Sequence, residues 1–119
     1  MKLLMHVLKE SKKLNIDNTK IGPMAIIIKL DEEFKEVVKA MMNYSRDRTL
    51  SNLKEVIAET FDLIQVCILI LWRCHRQALD FDEPNLLKDM NIEHKDKLVE
   101  RQWIFETGIE IDIKEYVRL

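Results

Sequence analysis

A chain of 119 residues, 47% hydrophobic and 34% charged, has the size and composition of one folded domain and not of a disordered segment. With only 2 Gly and 2 Pro it lacks the turn residues of an all-β sandwich or barrel, and no two glycines stand close enough for a phosphate-cradling loop. Nineteen basic residues against 21 acidic ones give a net charge of -2, which offers no electrostatic footprint for nucleic acid.

Periodicity predicts an all-α fold, a small bundle of about four helices ending in a short extended arm. The first predicted helix, Leu3 to Lys13, carries Leu4, Val7 and Leu8 on one stripe. Met1 to Lys9 lacks the long apolar run and small-residue cleavage site of a secretion signal. Asn15 to Gly22 reads as a polar connector, and Pro23 suits the first turn of a second helix running to about Tyr44. Leu30, Phe34, Val37, Val38 and Met41 recur there at the 3.6 period of a half-buried face. Ser45 to Thr49 is a charged loop, after which Ser51 or Asn52 can cap a third helix.

That third helix continues to about Leu79, and its second half, Val66 to Trp72, is apolar all round. Such a helix lies at the centre of a bundle or is shared between subunits, so we expect an oligomer, a homodimer or homotetramer. Leu63 to Trp72 is only half of a membrane span and contains Gln65, so no membrane is expected and the cytoplasm is the expected compartment. Cys67 and Cys74, roughly 10 Å apart on a helix, cannot bridge and read as buried small hydrophobes. Asp80 to Asn85 breaks the chain. A fourth, basic helix is expected over about Leu86 to Trp103, and Trp72 and Trp103 read as core packing. From Gly108 to Lys114 apolar and polar residues alternate, the period of an extended arm or small strand pair. The expected layout is one domain over residues 1–119, with a core over 23–103 and the arm over 104–119.

The chemistry lies in two carboxylate pairs. Glu33 and Glu36 stand three apart on the second predicted helix, and Glu59 and Asp62 stand three apart on the third. At that spacing both members of a pair lie on one side of a helix, one turn displaced, and can converge on a point. If the two helices pack antiparallel, four acids face one another. Four like charges in proximity must stay exposed or be neutralised by protons or cations, and an all-oxygen set selects hard ions such as Mg²⁺ or Mn²⁺. Glu59 and Asp62 also share a helical face with Val66, Leu69 and Ile70, an odd place for surface charge. A solvated acidic face is the plainer reading of the same spacing.

The run Lys29-Leu30-Asp31-Glu32-Glu33-Phe34-Lys35-Glu36-Val37, followed after 22 intervening residues by Glu59-Thr60-Phe61-Asp62-Leu63, resembles the MazG-like all-α nucleoside triphosphate pyrophosphohydrolases. The resemblance covers roughly residues 23–103. It departs from the family pattern at Phe61 and Lys35, where small residues are usual. It implies a Mg²⁺-dependent enzyme (Mn²⁺ as a substitute) that cleaves a nucleoside triphosphate to the monophosphate and pyrophosphate. Glu33, Glu36, Glu59 and Asp62 would hold one or two ions, with Glu36 a candidate general base. Lys97 and Arg101, four apart on the last predicted helix, would meet the phosphates; a solvated basic face explains them equally.

Other chemistries fail on spacing. A di-iron bundle needs Glu-x-x-His, but Leu3, Trp72 and Asn91 precede His6, His75 and His94 by three. No His or Cys falls at a zinc spacing. The remaining rival is a non-catalytic dimeric scaffold or regulatory module of the same fold.

Overall fold

The computed structural model describes residues 1–114; the last five residues of the predicted arm lie outside the described residues. Two compact units are present, one from Met1 to Leu87 and a second from Lys88 onward.

The first unit is a helical hairpin preceded by a small β-hairpin. Helix α1 spans Pro23–Arg46 and helix α2 spans Leu50–Asp80. Only Asp47 to Thr49 join them, so the helices run antiparallel. Pro23 occupies the first turn of α1, where its missing N–H costs nothing. The cap of α2 is Thr49, not Ser51 or Asn52: its hydroxyl accepts from the Asn52 amide at 3.1 Å, and Asn52 Nδ2 donates to the Asp47 carbonyl at 2.8 Å. The loop between the helices is thus two residues shorter than the predicted Ser45 to Thr49. Thr49→Ala is expected to cost about 1 kcal/mol in urea unfolding, the usual loss for a removed N-cap.

The two helices meet along a seam of alternating four- and three-residue steps. On α1 the covered positions are Ile26, Leu30, Glu33, Val37, Ala40 and Tyr44; on α2 they include Asn52, Val56, Glu59, Leu63, Val66, Ile70 and Arg73. This is the narrow seam of a two-helix coiled coil, in which small residues such as Ala40, 3% exposed, let the helices approach. It differs from the broad stripe expected on α1. Leu30 and Val37 belong to the seam, but Phe34, Val38 and Met41 lie beside it and stay exposed. One partner helix covers one stripe, and the second apolar stripe is left without cover in this unit. Cys67 and Cys74 are exposed for the same reason, contrary to expectation.

The predicted first helix does not form. Instead Glu10–Ser11 (β1) pairs antiparallel with Ile16–Asp17 (β2), and Asn15 turns the chain at φ 54°. Local side chains favour this turn over a helix: Ser11 Oγ accepts from the Leu14 amide at 3.2 Å, and Asn18 Nδ2 donates to the Leu8 carbonyl at 3.0 Å. Two side chains of α2 tie the segment down. Gln65 Nε2 donates to the His6 carbonyl, and Arg73 Nη1 donates to the Ile21 carbonyl at 2.7 Å. The described residues therefore contain three helices, not four.

Helix α2 closes with Asp82 at φ 57°, its amide donating to the Leu79 carbonyl, while the Glu83 amide returns to Ala78 at 2.9 Å. Helix α3 spans Leu86–Glu100 and ends the same way, with Gln102 at φ 62° and the Trp103 amide donating to the Leu98 carbonyl at 3.1 Å. This closure stops α3 before the predicted end at Trp103, and that indole is exposed, not core. Residues 104–114 form neither helix nor strand, and Ile109, Ile111 and Ile113 are exposed. Among the described residues no helix is long and apolar enough to cross a membrane.

Candidate metal centre

Two of the seam positions are acids. Glu33 on α1 and Glu59 on α2 take places that apolar side chains fill at most other points of the seam. Asp62, one turn beyond Glu59, sits at the solvent edge. One carboxylate oxygen from each of Glu33, Glu59 and Asp62 lies within 4.8 Å of the other two. Two oxygens on opposite sides of a Mg²⁺ stand about 4 Å apart, with the ion ~2.1 Å from each, so small side-chain adjustments suffice to close the trio on one ion.

The polar accounting at this point is incomplete without a proton or a cation. Glu33 is only 5% exposed, the one buried charged residue among those described. Its Oε1 receives Lys29 Nζ at 2.8 Å, from one turn earlier on α1. Its Oε2 is buried and has no hydrogen-bond partner, and the same is true of Glu59 Oε2. A buried carboxylate oxygen without a donor is costly, and a pair of them in one place calls for a proton or a metal ion. The donor set is all oxygen, the chemistry of a hard divalent cation. The trio offers oxygen ligands to a metal ion.

Glu36 is exposed and stands outside the trio, but its carboxyl is the first cause of the raised Glu59 pKa. Glu55, one turn before Glu59, is the second. Two carboxyls can share a hydrogen bond only if one carries a proton. Proton sharing with Glu36, then with Glu55, and then partial burial hold the Glu59 carboxyl up at about 7, against an ordinary 4.5. The close pair with Glu33 conversely holds the Lys29 ammonium above its ordinary value.

Two members of this arrangement escaped the sequence reading. Lys29 and Glu55 each precede a seam acid by four residues, a spacing visible in the chain but common on any helix. Lys35, by contrast, pairs with Asp31 at 2.7 Å on the exposed side of α1, away from the seam positions. Just along the hairpin, Ile27, Leu30, Asp31, Phe34 and Leu63 line an open apolar groove of about 460 Å³. Lys97 on α3 and Arg101 just past its end are exposed and belong to the second unit, whereas all the acids belong to the first. Trp72 is half-buried, its ring 5.6 Å from that of His75.

Compared with protein-family models, curated proteins and solved structures, the chain matches none.

Proposed function

We propose that this chain is a Mg²⁺-dependent nucleotide pyrophosphohydrolase of the MazG-like kind, cleaving a nucleoside triphosphate to the monophosphate and pyrophosphate. The observation that carries the reading is the meeting of Glu33, Glu59 and Asp62 in a helical seam, with buried Glu33 and Glu59 oxygens that lack donors. The paired spacing Glu-x-x-Glu and Glu-x-x-Asp supports it independently.

When bound, Mg²⁺ would neutralise phosphate charge and render a water more acidic. The chain's own residues divide the remaining work. Glu33, fixed by burial in the seam, and Glu59 and Asp62 across from it would hold the ion. Glu36 is exposed beside Glu59, so it can take a proton from an attacking water and release it to solvent. Lys97 and Arg101 are the proposed phosphate contacts of the second unit. The cytoplasm is the proposed compartment.

The proposed working form is a homodimer or homotetramer. Phe34, at 57% exposure, Val38 and Met41 form an uncovered apolar stripe beside the seam of α1, and Ile57, Phe61 and Ile64 are exposed on α2. Such stripes are normally covered in working proteins. Light scattering at micromolar concentration should report at least a dimer, with more than about 2,000 Å² buried between subunits, as in obligate pairs. A monomer would refute it.

The same stripes favour the rival reading, a non-catalytic helical scaffold. Pyrophosphate release from a panel of nucleotides, with and without Mg²⁺, separates the two. The enzyme releases pyrophosphate only with the metal, and the scaffold releases none under either condition.

A further inference from the structure

Lys29 is the only cation found paired with a member of the acid cluster among the described ion pairs; the other two pairs, Lys20 with Asp17 and Lys35 with Asp31, lie outside it. Its position is peculiar. The ammonium bonds one oxygen of a carboxylate whose side chain is 6% exposed, while the lysine side chain itself is 59% exposed. The second oxygen of that same carboxylate is buried and unpartnered, and the carboxylate supplies one oxygen to the trio. Lys29 thus reaches into the site from solvent and holds half of a ligand whose other half is waiting for a donor.

We propose that Lys29 is the counter-ion of Glu33 in the metal-free protein, and that with a divalent ion on the carboxylates its ammonium would leave Glu33 and contact a phosphate group. The proposal rests on the metal-site reading above. Two cations competing for one carboxylate repel each other, and the one on a flexible, exposed arm yields. A lysine anchored one turn from Glu33 remains within reach of the centre after it lets go, and it is a point charge suited to a phosphate oxygen. Before metal arrives the pair holds one Glu33 oxygen in place. After metal arrives it supplies a positive charge that no other ion-paired residue of the cluster offers. Lys29 is therefore a positioning residue for the metal and a contact for the anion.

The test uses the full chain, Mn²⁺ alone, and then inorganic pyrophosphate, both followed by calorimetry. Lys29→Gln keeps a donor for Glu33 but removes the charge, and Lys29→Arg keeps the charge. The Gln variant should bind Mn²⁺ at least fivefold more tightly than wild type, because the competing cation is gone. Its Mn²⁺-saturated form should bind pyrophosphate at least tenfold more weakly. The Arg variant should stay near wild type in both. A merely structural ion pair would move Mn²⁺ affinity the other way and leave pyrophosphate binding unchanged, and either result overturns the proposal while the site reading stands. If wild type binds no Mn²⁺, or binds it no better than Glu59→Gln does, the site reading falls and the proposal falls with it.

Discussion

Glu59→Gln should reduce Mg²⁺-dependent pyrophosphate release at least ~100-fold while leaving the metal-free protein as stable as wild type or more so. The substitution nearly preserves size but removes a charge at a seam position where Glu33, Glu36, Glu55 and Asp62 all gather. An amide is a poor ligand for a hard divalent ion, so an ion held by the remaining acids shifts or is lost. In the metal-free protein the same change relieves repulsion between carboxylates, and the amide can donate to Glu36 or Glu55 without borrowing a proton. Added Mg²⁺ should raise the melting temperature of wild type through linkage, and raise that of the variant less. If both proteins gain equally from Mg²⁺, Glu59 is not a ligand. If the variant instead melts well below wild type without metal, the acid has a structural role that the repulsion argument misses.

Stability of the metal-free protein should fall as pH rises from about 4.5 through about 7, by an amount that Glu59→Gln abolishes. The sign follows from linkage. The folded protein holds the Glu59 proton up to about 7, whereas the unfolded chain releases it near 4.5. Folding therefore binds a proton in that window. The contribution of this group is fully present below 4.5 and is lost as pH climbs through 7. Other carboxylates titrate in the same region, so the informative quantity is the difference between wild type and variant in urea unfolding at pH 5 and pH 8. The variant should gain on wild type as pH rises. Saturating Mg²⁺ should abolish the loss in wild type, because the ion takes the place of the proton. A wild-type-to-variant difference that stays flat between pH 5 and pH 8 would contradict a shared proton at Glu59.

Much of this arrangement was legible in the chain, for reasons that particular residues make plain. Pro23 and the long 3.6-period runs marked α1 and α2 because each helix is long enough for periodicity to dominate over local preference. The spacing of Glu33 from Glu36 and of Glu59 from Asp62 survived into the fold because a hairpin with a short loop has little freedom in how its helices align. What the chain concealed was which of two overlapping apolar stripes on α1 would face α2. Leu30, Val37 and Ala40 compete with Phe34, Val38 and Met41, and hydrophobicity alone favours the second set. Packing chose the set with small Ala40 and put Glu33 inside it. That choice left Glu36 outside the trio, although spacing makes the four look equivalent. The amino-terminal segment departs from its helical period because three apolar residues at that spacing weigh less than the turn-forming side chains of Ser11, Asn15 and Asn18. Lys29 and Glu55 were visible only as unremarkable i, i+4 neighbours, and their importance arises from burial, which spacing does not report.

The claim at the centre of this account is that the acids of the α1–α2 seam form a divalent-metal site. Its most direct test is an anomalous-difference map from crystals of the full chain grown with Mn²⁺. The account predicts a peak bonded directly to the carboxylates of Glu33, Glu59 and Asp62, with Lys29 Nζ no longer on Glu33 Oε1. A map with Mn²⁺ only elsewhere on the surface, and the Lys29–Glu33 pair intact, would contradict it.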